Sequence, residues 1–305
     1  MAISLSRAVE GFNLHLAAEG ASDHTLQDYN TTLSRFVQFC GPLTVPDTIS
    51  PNQIRRFLAY WQGKTVAPPG VAPRPPRTLA PKTILNMHTA LSSFWSWLVM
   101  EGYAEEHIIK GRVARPRVPP PDIQPLSTDQ ITALIQAASM SDRNRAIVLF
   151  ALDTGARASE ICDLTHDRLD LAAKTATING KGNKTRTVVF GRKTGRALFR
   201  YMAGVDEDPR HGRVFSSLRG DPLTRSALLQ MIRRMGKRAG INRLYPHRLR
   251  HTFAIHYLRN GGDVMTLQRQ LGHSSMDMVR RYLQIAGADL ERVHRRASPV
   301  DNLKN

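Results

Sequence analysis

The sequence predicts a mainly α-helical protein with one small antiparallel β-sheet, on three observations. Apolar residues recur at three- and four-residue steps through the first hundred residues and again through most of the second half, the period of one helix face. That period gives way to alternation once, on either side of a turn rich in glycine and asparagine. A proline- and arginine-rich stretch at 111–126 divides the chain into two helical parts.

The elements follow in order. In SLSRAVEGFNLHL, Leu5, Val9, Phe12 and Leu16 mark one apolar face. In SDHTLQDYNTTLSRFVQFC, Leu26, Tyr29, Leu33, Phe36, Val37 and Cys40 repeat it behind a cap at Ser22 or Asp23. A third helix follows Ser50-Pro51, with proline at an early helical position and Ile54, Phe57 and Leu58 facing inward. Residues 63–81 carry six prolines, which predicts an extended loop with no regular element. KTILNMHTALSSFWSWLVMEG is a fourth helix, rich in large apolar residues. These four form a small bundle over residues 1–110.

Residues 111–126 hold five prolines and three arginines and read as an interdomain linker. The second domain, 127–305, opens on a capping box, Ser127 with Gln130, and helix continues through Leu152. Thr175 to Ile178 and Thr185 to Phe190 alternate like strands around the hairpin turn NGKGNK. Beyond Gly191 helices return, broken at RVFSS and at glycines 240, 261, 262 and 272. The tail, 286–305, reads as one more short helix with Leu290 and Val293 as apolar anchors, or as a frayed basic terminus.

The 305 residues suit two domains, and 41% hydrophobic content is enough for a core. Lys and Arg number 43 against 25 Asp and Glu, a net charge of +18. Residues 121–305 hold 31 of those basic residues. Such an excess points to a polyanionic partner, most often nucleic acid, although a solvated basic surface is the plainer reading. An anionic membrane is a weaker competitor, because no long apolar run or lipidation motif accompanies the charge. Cys40 and Cys162 sit in apolar helical patterns, so neither a disulfide framework nor a cysteine zinc site is expected. With no signal peptide and no membrane span, the chain reads as intracellular.

Four islands carry the chemistry. TGARASEICDL places Arg157 after Gly155, with Ser159 and Glu160 opening a helix. GKGNK puts Lys181 at a hairpin tip, with Lys184 as the alternative lysine. HRLRHTFAIHYL gathers His247, Arg248, Arg250 and His251; His247 and Arg250 share a helix face while Arg248 points elsewhere. His247 and His251 have the spacing of a metal pair, but the adjacent arginines oppose a dication and no Glu lies between. LGHSSMDMVRRYL supplies His273 and Tyr282. Together, two arginines, a lysine and two histidines can enclose one phosphate, and a tyrosine hydroxyl can attack it. The cations at His247 and Arg250 then have an anion to hold, a phosphodiester.

In order and spacing these islands resemble the tyrosine recombinases, the phage integrase family. The first domain loosely resembles the family's helical core-binding domain, especially in Xer-type members. The resemblance implies a two-domain site-specific DNA recombinase working through a 3′-phosphotyrosine. Arg157 and Arg250 would clamp the scissile phosphate, Lys181 would protonate the leaving 5′ oxygen, and His247 would exchange protons with the nucleophile. His273 would hydrogen-bond a phosphate oxygen, Tyr282 would attack, and Glu160 would order the pocket by orienting His247 or its neighbours. No cofactor and no metal are implied. Partners would be double-stranded DNA with recombination sites and three further copies of the chain, with tail exchange as one link between copies, together with accessory proteins and no membrane. The expected location is cytoplasmic, on the nucleoid. Candidate DNA-reading residues are Lys82, Asn86 and His88 in the fourth helix, and Arg225, Gln230, Arg233 and Arg234 in 224–239. Two other readings remain: a type IB topoisomerase-like enzyme, and a non-catalytic DNA-binding module of the same fold. The insert at 63–81 lengthens a connection that is often short in this family, and no obvious N-terminal arm-binding domain is expected, which favours a two-domain recombinase over a long-form integrase.

Overall fold

The computed structural model describes residues 3–66, 77–119, 122–180, 185–205, 212–272 and 276–287, with 294, 298, 300, 301 and 303. The chain divides into two compact units, Met1–Pro121 and Asp122–Asn305.

The first unit is a bundle of α1 (Leu5–Ala18), α2 (Asp23–Cys40), α3 (Pro51–Gly63) and α4 (Pro81–Met100). Serines start three of them: the Ser4, Ser22 and Ser50 side chains accept from backbone N–H groups three residues on. Ser50 and Gln53 complete a capping box, and Pro51 and Pro81 occupy the first helical positions, where a missing N–H costs nothing. Phe12, Phe36, Phe57, Phe94 and Trp95 meet at the centre, with Phe36 edge-on to both Phe57 and Trp95. Helix α4 is buried on most of its circumference, from Ile84 to Leu98. The expectation for 63–81 needs correction at its ends. Strand β1 (Thr65–Val66) pairs antiparallel with β2 (Arg77–Thr78), and neither contains proline.

In the second unit the capping box at Ser127 starts α5 (Thr128–Ala138), but helix does not run unbroken through Leu152. Ser141 starts a new helix, α6 (Asp142–Thr154), by accepting from Asn144 N. Then come α7 (Ala158–Cys162) and a three-stranded antiparallel sheet, β3 (Leu169–Asp170), β4 (Thr175–Asn179) and β5 (Thr185–Val189), in that order. Thr175 pairs with Val189 and Asn179 with Thr185, a register that turns Ala176, Ile178 and Val188 inward. The unit closes with α8 (Arg192–Ala203), α9 (Arg225–Arg238), α10 (Pro246–Arg259), α11 (Val264–Leu271) and α12 (Asp277–Ala286). Most of tail residues 288–305 and all of 67–76 in the insert lie outside the described residues.

Parts of the 111–126 stretch belong to cores. Val113 is buried in the first unit, and Ile123 and Leu126 in the second. The second anchorage is specific: Thr252 Oγ1 accepts from Leu126 N, and His256 Nε2 meets Leu126 O at 2.7 Å. No helix among the described residues is long and apolar enough to cross a membrane. Cys40 is partly buried, Cys162 is buried, and both are free thiols.

Candidate active site

The site grows from the end of α6. Gly155 caps that helix in the left-handed region, φ 63°. A Cβ there would stand 2.4 Å from Phe253 Cδ1 and 2.8 Å from Leu271 Cδ2, so only glycine lets α10 and α11 approach this closely. The turn delivers Arg157 to the start of α7. Its backbone N–H donates to Glu160 Oε2 at 2.6 Å, and its guanidinium to Oε1 at 2.7 Å.

Glu160 is the hub. Its side chain is 1% exposed and also receives both terminal nitrogens of Arg186, at 2.7 and 2.8 Å. Burial alone would raise its pKa, but the hydrogen bonds and charges of Arg186 and Arg157 outweigh that and hold it below the ordinary carboxylate value. Glu160 therefore orders the two arginines; no bond from it to His247 is present among the described residues. Arg186 is absent from the residues that the sequence singles out. It lies on the same face of β5 as buried Val188, and its Nε donates to Gln270 O at 2.8 Å.

Arg250 reaches the cluster from α10 and is 1% exposed. Its Nη1 donates to Gly155 O at 2.8 Å and its Nη2 to Leu271 O at 2.7 Å. The end of α11 thus supplies carbonyls to two arginines, where a helix C-terminus favours cations. Burial, then the charge of Arg157, push the Arg250 pKa down to about 9. Its Nε is buried and has no hydrogen-bond partner among the described residues. Arg248, two residues earlier, turns away as expected and donates to the Gln124 and Asn242 carbonyls.

His247 follows Pro246 in the first turn of α10 and stays exposed. Crowding by its neighbours, then the charges of Arg250 and Arg157, lower its pKa. His251, one turn on, packs edge-on to it with ring centroids 4.3 Å apart. Tyr282 on α12 is fully buried. Its hydroxyl lies 2.8 Å from His251 Nδ1, and burial raises its pKa against the opposing pull of Arg250, Arg157 and Arg281. The structure thus brings together Arg157, Glu160, His247, Arg250 and Tyr282 from three separated segments. Lys181, its alternative Lys184, and His273 lie outside the described residues.

The candidate DNA-reading residues divide. Arg225, Gln230, Arg233 and Arg234 line the exposed side of α9, opposite buried Leu228, Met231, Ile232 and Met235. Lys82 and Asn86 are exposed on α4, and Asn86 joins Asp28, Thr31 and Arg35 of α2 around a cleft of about 200 Å³. His88 does not face solvent. It is buried, with Nε2 3.3 Å from Val113 O, because α4 is apolar on that side too. It packs the bundle and is corrected from the DNA-reading set.

Residues 124–288 match the phage integrase family, and residues 9–105 match the phage integrase N-terminal SAM-like domain. The chain is 30% identical over 315 residues to tyrosine recombinase XerD of Mycobacterium tuberculosis, covering 97% of this chain and 98% of the relative. It is 28% identical over 306 residues to tyrosine recombinase XerC of Thermodesulfovibrio yellowstonii, covering 92% of each. Among solved structures, a lambda integrase tetramer bound to a Holliday junction shares the fold, with TM-score 0.71 at 16% identity over 92% of this chain and 77% of that one. The chain belongs to the phage integrase family, and it is a tyrosine-type site-specific recombinase.

Proposed function

We propose that the cluster around Glu160 holds one DNA phosphodiester while Tyr282 displaces its 5′ oxygen. Arg157 and Arg250 take the nonbridging oxygens, where charge builds in the transition state. The observation that supports this reading is the buried Nε–H of Arg250, which has no hydrogen-bond partner among the described residues while two backbone carbonyls fix its terminal nitrogens beside a half-exposed Arg157. Leaving such a donor unmade is costly, and an anionic oxygen would satisfy it.

In cleavage the Tyr282 oxygen bonds to phosphorus, the phenolic proton departs, and the bond from phosphorus to the 5′ oxygen breaks. Lys181 protonates that oxygen, and His273 donates to a phosphate oxygen. His247 exchanges protons at the site, and Glu160 with Arg186 keeps Arg157 in place. A 5′ hydroxyl from another strand reverses the step and joins the new partner. Bond energy stays in the phosphotyrosine, so the joining step draws on no outside energy source.

Residues 1–110 act as the core-binding domain and 127–305 as the catalytic domain, joined through 111–126. DNA contacts come from Lys82 and Asn86 and from Arg225, Gln230, Arg233 and Arg234. Four copies assemble on two paired sites, as the lambda integrase tetramer does on its junction, with the 286–305 tail reaching a neighbouring subunit. The enzyme works on the nucleoid in the cytoplasm.

The test is to incubate the chain with nicked fragments of its host's genomic DNA and to sequence the fragments covalently captured. Adducts at discrete sites, absent from Tyr282→Phe, are expected. Adducts spread evenly, with vigorous relaxation of plasmids that lack any such site, would mark a topoisomerase instead. No Tyr282-dependent adduct at all would leave a DNA-binding module.

A further inference from the structure

Two histidines stand one turn apart on α10, and it is the second that touches the tyrosine hydroxyl. His251 Nδ1 lies 2.8 Å from the Tyr282 oxygen, in a contact where His251 is 7% exposed and Tyr282 is not exposed at all. His247 packs on the outer edge of His251 and remains open to solvent. We propose that His251 is a further catalytic residue, which orients the Tyr282 hydroxyl and takes up its proton as the phenolic oxygen attacks phosphorus. The proposal rests on the reading of Tyr282 as the nucleophile.

Three features of the contact support it. Bulk water does not reach the buried hydroxyl, so His251 stands where a solvent hydrogen bond would otherwise be. The pocket keeps the imidazole neutral and able to accept. Burial, then His247 and Arg250 from α10 and Arg281 from α12, push its pKa down to about 4. With Nδ1 accepting, the ring proton sits on Nε2.

The third feature is a coupling to substrate. The charges that suppress the basicity of His251 include Arg250, one of the two guanidiniums that clamp the phosphate. A bound phosphodiester offsets that charge, so the imidazole gains basicity when the scissile phosphate is present. In the step itself the tyrosine O–H bond breaks and its proton passes to Nδ1. The O–P bond forms, the bond from phosphorus to the 5′ oxygen breaks, and that oxygen receives a separate proton. Rejoining returns the Nδ1 proton to the tyrosine oxygen.

The experiment uses the full chain and a nicked duplex carrying a site mapped by wild-type adducts, with sulfur replacing the 5′ bridging oxygen. A thiolate leaves without protonation, so the rate reports on the nucleophile. His251→Asn keeps an acceptor near the Nδ1 position but cannot hold a proton. It should cleave about 100-fold more slowly at pH 7, within the range for a lost acid–base group, and recover about tenfold per pH unit toward pH 9. Added imidazole should rescue His251→Ala. Thermal midpoint and DNA affinity of the Asn variant should match wild type.

A rate within threefold of wild type, or a faster one, overturns the proposal; the faster rate would make His251 a latch that withholds the tyrosine. Tyr282-dependent adducts would still form in wild type, so the proposed function would stand. A measurement without DNA applies in every case. The ¹⁵N resonance of His251 Nδ1 should move in Tyr282→Phe, and an unmoved resonance overturns the contact itself.

Discussion

Arg186 and Glu160, on a strand and on a short helix, face each other through two parallel hydrogen bonds of 2.7 and 2.8 Å. The carboxylate is buried and also holds Arg157, so its charge is shared between one guanidinium that stays inside and one that opens toward solvent. Arg186→Ala leaves a buried carboxylate with half its donors. Removing one partner of a buried pair typically costs about 3–5 kcal/mol, and the two surviving Arg157 bonds put this variant near the lower end. Denaturant unfolding of the variant checks the figure. Arg186→Lys should recover only part of it, because an ammonium cannot pair with both oxygens and Gln270 O at once.

Gly155 tests whether the turn sets the arginine geometry. Alanine there meets Phe253 and Leu271 and must hold φ near 63°, so strain and overpacking together should cost more than about 2 kcal/mol. Tyr282-adduct formation should fall with it, since the displaced carbonyl is one of the two that hold Arg250. The same substitution at Gly20, whose Cβ would meet nothing, should cost less, about 1 kcal/mol from φ alone.

What the sequence makes legible follows the range of the interactions. Helices α1 to α4 read well because apolar steps, serine caps on α1 to α3 and the first-turn proline of α4 all act within a few residues. The hairpin reads well because alternation and turn chemistry are adjacent. Arg157, Arg250 and Tyr282 are legible only as a set, by their resemblance to a family. Arg186 carries one local signal, an inward position in an alternating strand. Its role, however, depends on Glu160 and on a carbonyl 84 residues away. His251 shows in sequence only the spacing of a metal pair with His247, which the adjacent arginines oppose; its contact with Tyr282 depends on α12, 31 residues away. His88 is misleading in the other direction, because the apolar residues all round α4 predict burial and outweigh its position near basic Lys82.

Acid should destabilise the second unit before its carboxylates titrate. The His251 pKa is lowered from 6.5 to about 4, so the unfolded chain binds the proton more readily. Stability is full above pH 6.5 and declines as pH falls toward 4, by at most about 3 kcal/mol at about 1.4 kcal/mol per pKa unit. His247, shifted in the same direction, adds to the slope. His251→Asn should flatten the decline in urea midpoints measured from pH 7 to 4.

Exposed α9 cations should act on DNA affinity through salt. Replacing Arg225, Arg233 or Arg234 by Ala should reduce the slope of log affinity against log salt by about 0.9 for each phosphate that the variant no longer neutralises. His88→Ala should leave that slope unchanged and instead lower the stability of the first unit, because it removes a buried side chain and its bond to Val113 O. An unfolding curve and a salt titration on each variant separate the two kinds of effect.

Arg250→Lys keeps a cation at the site and removes the fork. In wild type the two terminal nitrogens are already committed to Gly155 O and Leu271 O, which aims the plane and leaves Nε–H for an incoming oxygen. Lysine's single nitrogen cannot hold both carbonyls and still present a fixed donor to phosphate. Losing one preorganised donor to a developing charge costs about 3–4 kcal/mol, a drop of roughly a hundred- to a thousandfold in cleavage rate. Ground-state DNA affinity rests on many phosphate contacts and should change only a few-fold. A gel-shift titration beside single-turnover adduct formation gives both quantities. Equal losses in binding and rate would place Arg250 in general DNA affinity and remove it from the reacting phosphate.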